Sequence, residues 1–178
     1  MPKIIENLPQ RLLDEARRQV EEVGYGSLNI RTVAKNCGVG VGTVYNYYRS
    51  KDELVAAFLL EDWSQCIHHI NSCSENADSP EAVLRAIYEE LAAYTLRHRA
   101  VFCDADAVTV SSGSLARYHN LLRAQLAQPL RRFCRDGFMS EFVAEAMLTW
   151  TVAGASFDAI YDLVRKLFDE TDLNQNHQ

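Results

Sequence analysis

The stretch from residue 41 to residue 51, VGTVYNYYRSK, places a branched apolar side chain, hydroxyls, an amide and an ammonium close together. If residues 41–47 form a helix, Val41, Thr43, Asn46 and Tyr47 fall on its outward face. A hydroxyl or an amide there donates to phosphate oxygens or reads the edge of a base, and a valine packs on a thymine methyl. Lys51 stands at the start of the next helix. Its ammonium and that helix's unbonded N–H groups would face a phosphate together.

Cys66, His69 and Cys73 form a second constellation, spaced i, i+3 and i+7 along one side of a helix. Thiolate and imidazole suit Zn(II) or Cu(I), which would make a metal- or thiol-sensing switch. Against it, positions i and i+7 lie about 10 Å apart along a helix axis, so one ion is reached poorly and a fourth ligand is needed. Buried thiols and a packed imidazole are the simpler reading. The five cysteines are odd in number and form no CxxC pair, which argues against a disulfide framework or a zinc module. Cys103 or Cys134 beside a histidine would be the start of a hydrolase. No glycine-rich phosphate loop, nucleophile elbow, HExxH or paired-carboxylate motif accompanies them. No enzymatic function and no cofactor is expected.

The elements that must carry these groups are helical. Leu12, Leu13, Ala16, Val20 and Val23 recur at helical spacing, with Pro9 in the first turn and Gly24 as a stop. Asn29 opens and Gly38 closes a short helix, and a second short helix covers roughly 41–47. Two short helices joined through Gly38-Val39-Gly40 have the proportions of a helix-turn-helix. Ile30, Val33, Ala34 and Cys37 would face inward, Ala34 would allow a close crossing, and Val39 and Val44 would plug the space between. Ser50-Lys51-Asp52-Glu53 is a capping box for a helix running to about Asn71. A polar loop, 72–79, precedes a helix opened by Ser79-Pro80 and carried by Val83, Leu84, Ile87, Tyr88, Leu91 and Ala92. Further helices are expected at about 100–110, at 115–136 with a kink at Pro129 and a stop at Gly137, and from a Ser140 cap to Phe168. The fold class is all-α.

Composition fits a globular chain, with 48% hydrophobic and 24% charged residues. The net charge of −6 divides unevenly: residues 1–51 carry eight lysines and arginines against five acids, leaving +3 there and −9 beyond. One end is thus suited to approach a polyanion. No apolar run nears the roughly 18 residues of a membrane span, and MPKIIENLPQ lacks a secretory apolar core. The expected compartment is the cytoplasm, with no membrane partner.

Residues 10–60 resemble the DNA-binding domain of the tetracycline-repressor (TetR/AcrR) family of bacterial transcription regulators. The matching features are Leu13-x-x-Ala16, Gly24-Tyr25, Val33-Ala34, Gly38-Val39, Gly42-Thr43-Val44-Tyr45, Tyr48 and Ser50-Lys51-Asp52-Glu53-Leu54. The resemblance implies a DNA-binding domain over residues 1–49. It also implies a ligand-binding and dimerisation domain over 50–178, with 50–71 as the linking helix. It further implies a homodimer formed through the last two helices, a palindromic double-stranded operator, and a small-molecule effector whose binding shifts the linking helix and releases DNA. Carried over by position, Arg31 is a base or phosphate contact, Val41, Thr43, Tyr45, Asn46 and Tyr47 lie on the recognition helix, and Lys51 meets a phosphate. Two departures stand out: Gly40 replaces the usual Ser or Thr cap, and the chain ends about one helix early.

In the second half, Trp63, Tyr88, Tyr94, Phe102, Tyr118 and Trp150 are the aromatic candidates for a ligand pocket. Gly154, Phe157, Ile160, Tyr161 and Val164, on a final helix containing Ala153-Gly154-Ala155-Ser156, are the candidates for a two-fold interface. The expected function is a ligand-responsive repressor. The alternatives are the metal- or thiol-sensing regulator of Cys66, His69 and Cys73, and a helical adaptor that binds protein rather than DNA.

Overall fold

The computed structural model describes residues 6–102 and 113–175, with side chains left undescribed at 113–115 and beyond 168. Its helices are α1 (Leu8–Ser27), α2 (Ile30–Cys37), α3 (Val41–Tyr47), α4 (Lys51–Glu75), α5 (Pro80–Arg97), α6 (Arg99–Phe102), α7 (Gly113–Leu130), α8 (Gly137–Val152) and α9 (Phe157–Gln175). Among the described residues there is no strand, as an all-α fold requires. The expected helical piece at 100–110 is described only at its start, and Cys103 lies outside the described residues. No helix among the described residues is long and apolar enough to cross a membrane.

The chain divides into two compact units. One comprises Met1–Asp62 with His98–Tyr118, the other Trp63–Arg97 with His119–Gln178. The sequence-based division at residues 49 and 50 follows the roles of the segments. Packing instead gives the first turns of α4 and the short α6 to the first unit, where α6 lies against α1. Leu12, Ala16 and Val20 of α1, Val33 of α2, Val44 of α3 and Leu54, Val55, Phe58 and Leu59 of α4 build its core. Burying each large aliphatic contributes about 1.5–3 kcal/mol. Gly24 takes φ 80°, which breaks α1 where a stop was expected and lets one last turn bury Tyr25 completely.

In the second unit α5 packs on both α8 and α9, which also pack on each other. Val83, Leu84, Ile87 and Leu91 of α5, Val143, Ala144 and Met147 of α8, and Phe157, Ile160 and Val164 of α9 are the buried apolar residues of these three packed helices. Three boundaries differ from the sequence reading, each for a local reason. α4 runs on to Glu75, because Arg132 donates to the carbonyls of Ser74 (2.5 Å) and Ala77 (2.7 Å) and so satisfies its open end. Pro129 ends α7 into a 3-10 turn at Arg131–Phe133, and Asp136 then caps α8 by accepting the Met139 N–H at 2.8 Å. Gly137 is therefore a first helical residue rather than a stop, and Ser140 is buried inside the helix, donating to the Gly137 carbonyl. The helix expected from Ser140 to Phe168 is two helices. Gly154 turns the chain at φ 85°, and the Ser156 hydroxyl accepts the Ala159 N–H to start α9.

Candidate nucleic-acid interface

The helix-turn-helix forms as its residue types dictate. Asn29 caps α2 by accepting the Arg31 N–H at 2.9 Å. Gly38 takes φ 73°, and the Val39 N–H returns to the Ala34 carbonyl at 2.9 Å, closing the helix and setting the turn. Ile30, Val33, Ala34 and Cys37 are buried against the neighbouring helices. Val44 is the one buried residue of α3, so this helix is pinned by a single plug and shows most of its surface to solvent. At its far end Ser50 accepts the Glu53 N–H at 3.0 Å, while Glu53 accepts the Arg49 N–H at 2.7 Å. The Ser50 half of the capping box expected at 50–53 is thus in place, while Glu53 reaches back one residue further, to Arg49 instead of to the N–H of Ser50. Gly40 offers α3 no side-chain cap.

Arg31, Tyr45, Asn46 and Tyr47 are exposed, and Val41 and Thr43 are half-exposed. Tyr45 and Tyr47 keep 49% and 47% of their surface open, so neither ring belongs to the core. Tyr48 turns inward to half-burial, which raises its phenol above the ordinary range. The outward side of α3 is thus a row of hydroxyls and an amide flanked by methyls.

The cations of residues 6–51 fall into two groups. Arg17 pairs with Asp14, Glu61 and Asp62, and Arg18 with Glu15 and Glu22. Arg11 reaches the Cys37 carbonyl at 3.5 Å. Lys51, expected at a phosphate, donates to the carbonyls of Tyr25 (3.1 Å) and Gly26 (3.4 Å) and lies 4.2 Å from the Tyr25 ring centroid. That expectation is therefore revised: the ammonium is engaged inside the unit. The side chains of Arg31, Lys35 and Arg49 make no hydrogen bond, ion pair or ring contact with any described residue. Lys35 and Arg49 went unremarked in the sequence reading. Their charge is visible there, but their lack of partners is a property of the fold.

A family model described as "Bacterial regulatory proteins, tetR family" matches residues 12–58, the segment just built. Over these residues the chain is similar to the tetR family of bacterial regulatory proteins. It is 22% identical over 157 residues to the HTH-type transcriptional regulator UidR of Escherichia coli (strain K12), covering 86% of this chain and 80% of the relative. Among solved structures it resembles Salmonella enterica GusR (TM-score 0.63, 20% identity, 94% of this chain and 99% of that one). It also resembles Thermus thermophilus FadR, a TetR-family transcriptional repressor in complex with lauroyl-CoA (TM-score 0.65, 15% identity, 90% and 92%). The chain is a DNA-binding transcription regulator.

The six aromatic pocket candidates do not converge. The buried Trp63 and Tyr94 are brought together edge to face at 5.4 Å, and the indole donates to the half-buried Gln125 at 2.6 Å. Tyr88 packs on Phe157 and donates to the Ala155 carbonyl. Trp150 is 58% exposed on α8. Phe102 and Tyr118 belong to the first unit. The metal-sensing set also disperses. Cys66 is buried, which pushes its thiol up to about 12; Cys73 is exposed; and His69 is hydrogen-bonded to Glu90 at 2.8 Å. Among the described residues no three such side chains gather to hold a metal ion.

The interface candidates need a parallel revision. Phe157, Ile160 and Val164 are buried within the subunit, and Tyr161 donates to Glu81. Gly154 forms the turn between α8 and α9. On α8 and α9 the large exposed apolar side chains are Phe138, Phe142, Trp150 and Leu163; the sequence reading assigned Trp150 to a pocket and named none of the other three, because it treated the last two helices as one. Phe142, Trp150 and Leu163, with Ala146 and Ala159, line an open groove of about 510 Å³ between α8 and α9, with Ile160 and Val164 also in its wall.

Proposed function

We propose that the protein is a cytoplasmic, ligand-responsive repressor that binds a palindromic operator as a homodimer. One observation carries this reading: α3 is held by Val44 alone and presents Val41, Thr43, Tyr45, Asn46 and Tyr47 outward, with Arg31 exposed at the start of α2. A short helix so mounted enters a major groove, and a two-fold pair of them reads two half-sites. The partner in the dimer is a second copy docked on the α8–α9 groove. Four large exposed apolar side chains on adjoining helices are more than an isolated subunit ordinarily leaves in water.

The effector is a small molecule taken up by the second unit. Support comes from the FadR neighbour, which was solved with lauroyl-CoA. A notch of about 150 Å³ lined by Gln65, Cys66, His69, Glu90, Tyr94 and Arg97 is a polar opening on that unit. It is too small for a whole acyl-CoA, so the chemical class of the effector stays outside this proposal.

The test is selection of bound duplexes from a random-sequence pool, followed by titration of the winner. Enrichment of an inverted repeat, bound by a dimer in sedimentation, is the expected result. Failure to enrich any sequence refutes the reading. Enrichment of a single half-site bound by a monomer refutes the homodimer.

A further inference from the structure

We propose that Arg49, not Lys51, is the cation that holds the DNA backbone beside α3, and that Lys51 is a positioning residue fixing the start of α4 against the end of α1. The inference rests on the DNA-binding reading above and assigns the backbone contact within that site.

Lys51 has a full set of internal partners. Its ammonium donates to two successive carbonyls, Tyr25 and Gly26, and packs on the Tyr25 ring. These carbonyls belong to the turn of α1 beyond the break at Gly24, where the regular helical pattern has been interrupted. The adjacent Asp52 accepts a hydrogen bond from the Tyr25 hydroxyl. Two consecutive residues of α4 therefore clasp one buried tyrosine, by its backbone and by its ring end. A phosphate that captured the Lys51 ammonium would have to draw it from both carbonyls and from the ring.

Arg49 has the opposite arrangement. Its backbone N–H is held by the Glu53 carboxylate at 2.7 Å, and Glu53 is itself held by the Ser50 hydroxyl. The residue is exposed, and its guanidinium makes no hydrogen bond, ion pair or ring contact with any described residue. The stem is fixed and the charge is unengaged. Arg49 directly follows Tyr48, the residue that closes α3, so it stands two positions from the exposed Tyr47. A guanidinium offers two parallel N–H groups to a phosphate, where an ammonium acts as a point charge. The two nearest carboxylates in sequence are already engaged: Asp52 accepts the Tyr25 hydroxyl and Glu53 accepts a backbone N–H.

The experiment measures the dependence of operator affinity on salt, using full-length protein and a duplex that wild type selects from a random-sequence pool. Each phosphate contact removed lowers the slope of log affinity against log salt by about 0.9, hence by about 1.8 for a symmetric dimer. Arg49→Gln is expected to lose that amount with unchanged melting temperature. Lys51→Met is expected to weaken binding equally at every salt concentration, with unchanged slope and a lowered melting temperature, and Lys51→Arg to restore part of both. An unchanged slope in Arg49→Gln overturns the proposal, as does a slope lost in Lys51→Met. If Lys51→Met does not fold, Arg49→Gln still decides, because its side chain supports nothing in the fold. Wild-type protein that shows no salt-dependent DNA binding removes the DNA reading itself, an outcome distinct from either variant's behaviour.

Discussion

Around α3 the exposed groups are hydroxyls, an amide and three unpartnered cations, Arg31, Lys35 and Arg49. On α8 and α9 they are Phe138, Phe142, Trp150 and Leu163, between 53% and 77% exposed. The first unit pairs Arg17 and Arg18 with carboxylates and turns a polar surface outward around α3. The second buries a full apolar layer and still has large apolar side chains outside it. A polyanion with ordered water answers the first surface, since contacts to phosphate and base edges are reversible and salt-dependent. Only another apolar surface answers the second. The two faces therefore ask for different partners, and each can be disabled without unfolding the other.

The largest effect is expected from the apolar face. Trp150→Glu combined with Leu163→Glu places like charges across a two-fold contact, and both side chains are already in water in the subunit. Sedimentation should then report a monomer with unchanged helical circular dichroism. Operator affinity should fall by about 100-fold or more, because the second half-site no longer benefits from the first. A double variant that remains dimeric would show that the second copy docks elsewhere.

The polar face should give smaller, sequence-dependent losses. Thr43→Ala or Tyr47→Ala each removes a hydroxyl from α3 and should cost about 1 kcal/mol of operator affinity, with the dimer intact. Arg31→Ala should relax discrimination at one base-pair position by about 1–3 kcal/mol, read by comparing operators mutated at each position. Uniform weakening across all those operators would make Arg31 a phosphate contact instead.

What could be read from residue order differs between the same two faces. The helix-turn-helix was legible because its determinants are local: Asn29 caps, Gly38 turns, and Ser50 and Glu53 cap again within a few positions. The engagement of Lys51 was not, because Tyr25 and Gly26 lie more than twenty positions away and only the break at Gly24 brings their carbonyls to it. The net +3 of residues 1–51 was equally incomplete. It counted Arg17 and Arg18, whose guanidinium groups are occupied by carboxylates in the fold. In the second unit Ala153-Gly154-Ala155-Ser156 reads as a small-residue stretch of one helix. Only the left-handed Gly154 reveals a turn, and that turn moves Phe157 inward and leaves Leu163 outside.

Acid should separate the units further. Glu15 is lowered to about 2, chiefly by its hydrogen bond from Arg18, against burial and with help from Gln19 and Asn36. Asn36 is on α2, so this carboxylate ties α1 to the reading head. A group whose folded value lies below its unfolded value stabilises the fold above the unfolded value. That contribution is lost as pH falls from about 4.5 toward 2. Hydrogen exchange of α2 amides should therefore accelerate across this window, and Glu15→Gln should flatten the acceleration. Identical acid profiles for α2 in the two proteins would show that another carboxylate governs the head.

The smallest expected effect lies at Gly40, where α3 begins without a side-chain cap. Its φ of −74° suits any residue, and a Cβ there meets nothing closer than the Thr43 hydroxyl at 4.0 Å. Gly40→Ser supplies an oxygen positioned to accept the Thr43 N–H, which now bonds to the Gly40 carbonyl at 2.9 Å. Replacing a glycine cap by serine is worth a few tenths of a kcal/mol, so the melting temperature should rise by about a degree or less. The gain should appear as slower exchange in α3 and leave α8 and α9 untouched. A helix pinned by Val44 alone has the most to gain from a second anchor. If exchange in α3 does not slow, its ends are already as ordered as its middle, and the single plug is sufficient to hold the reading surface.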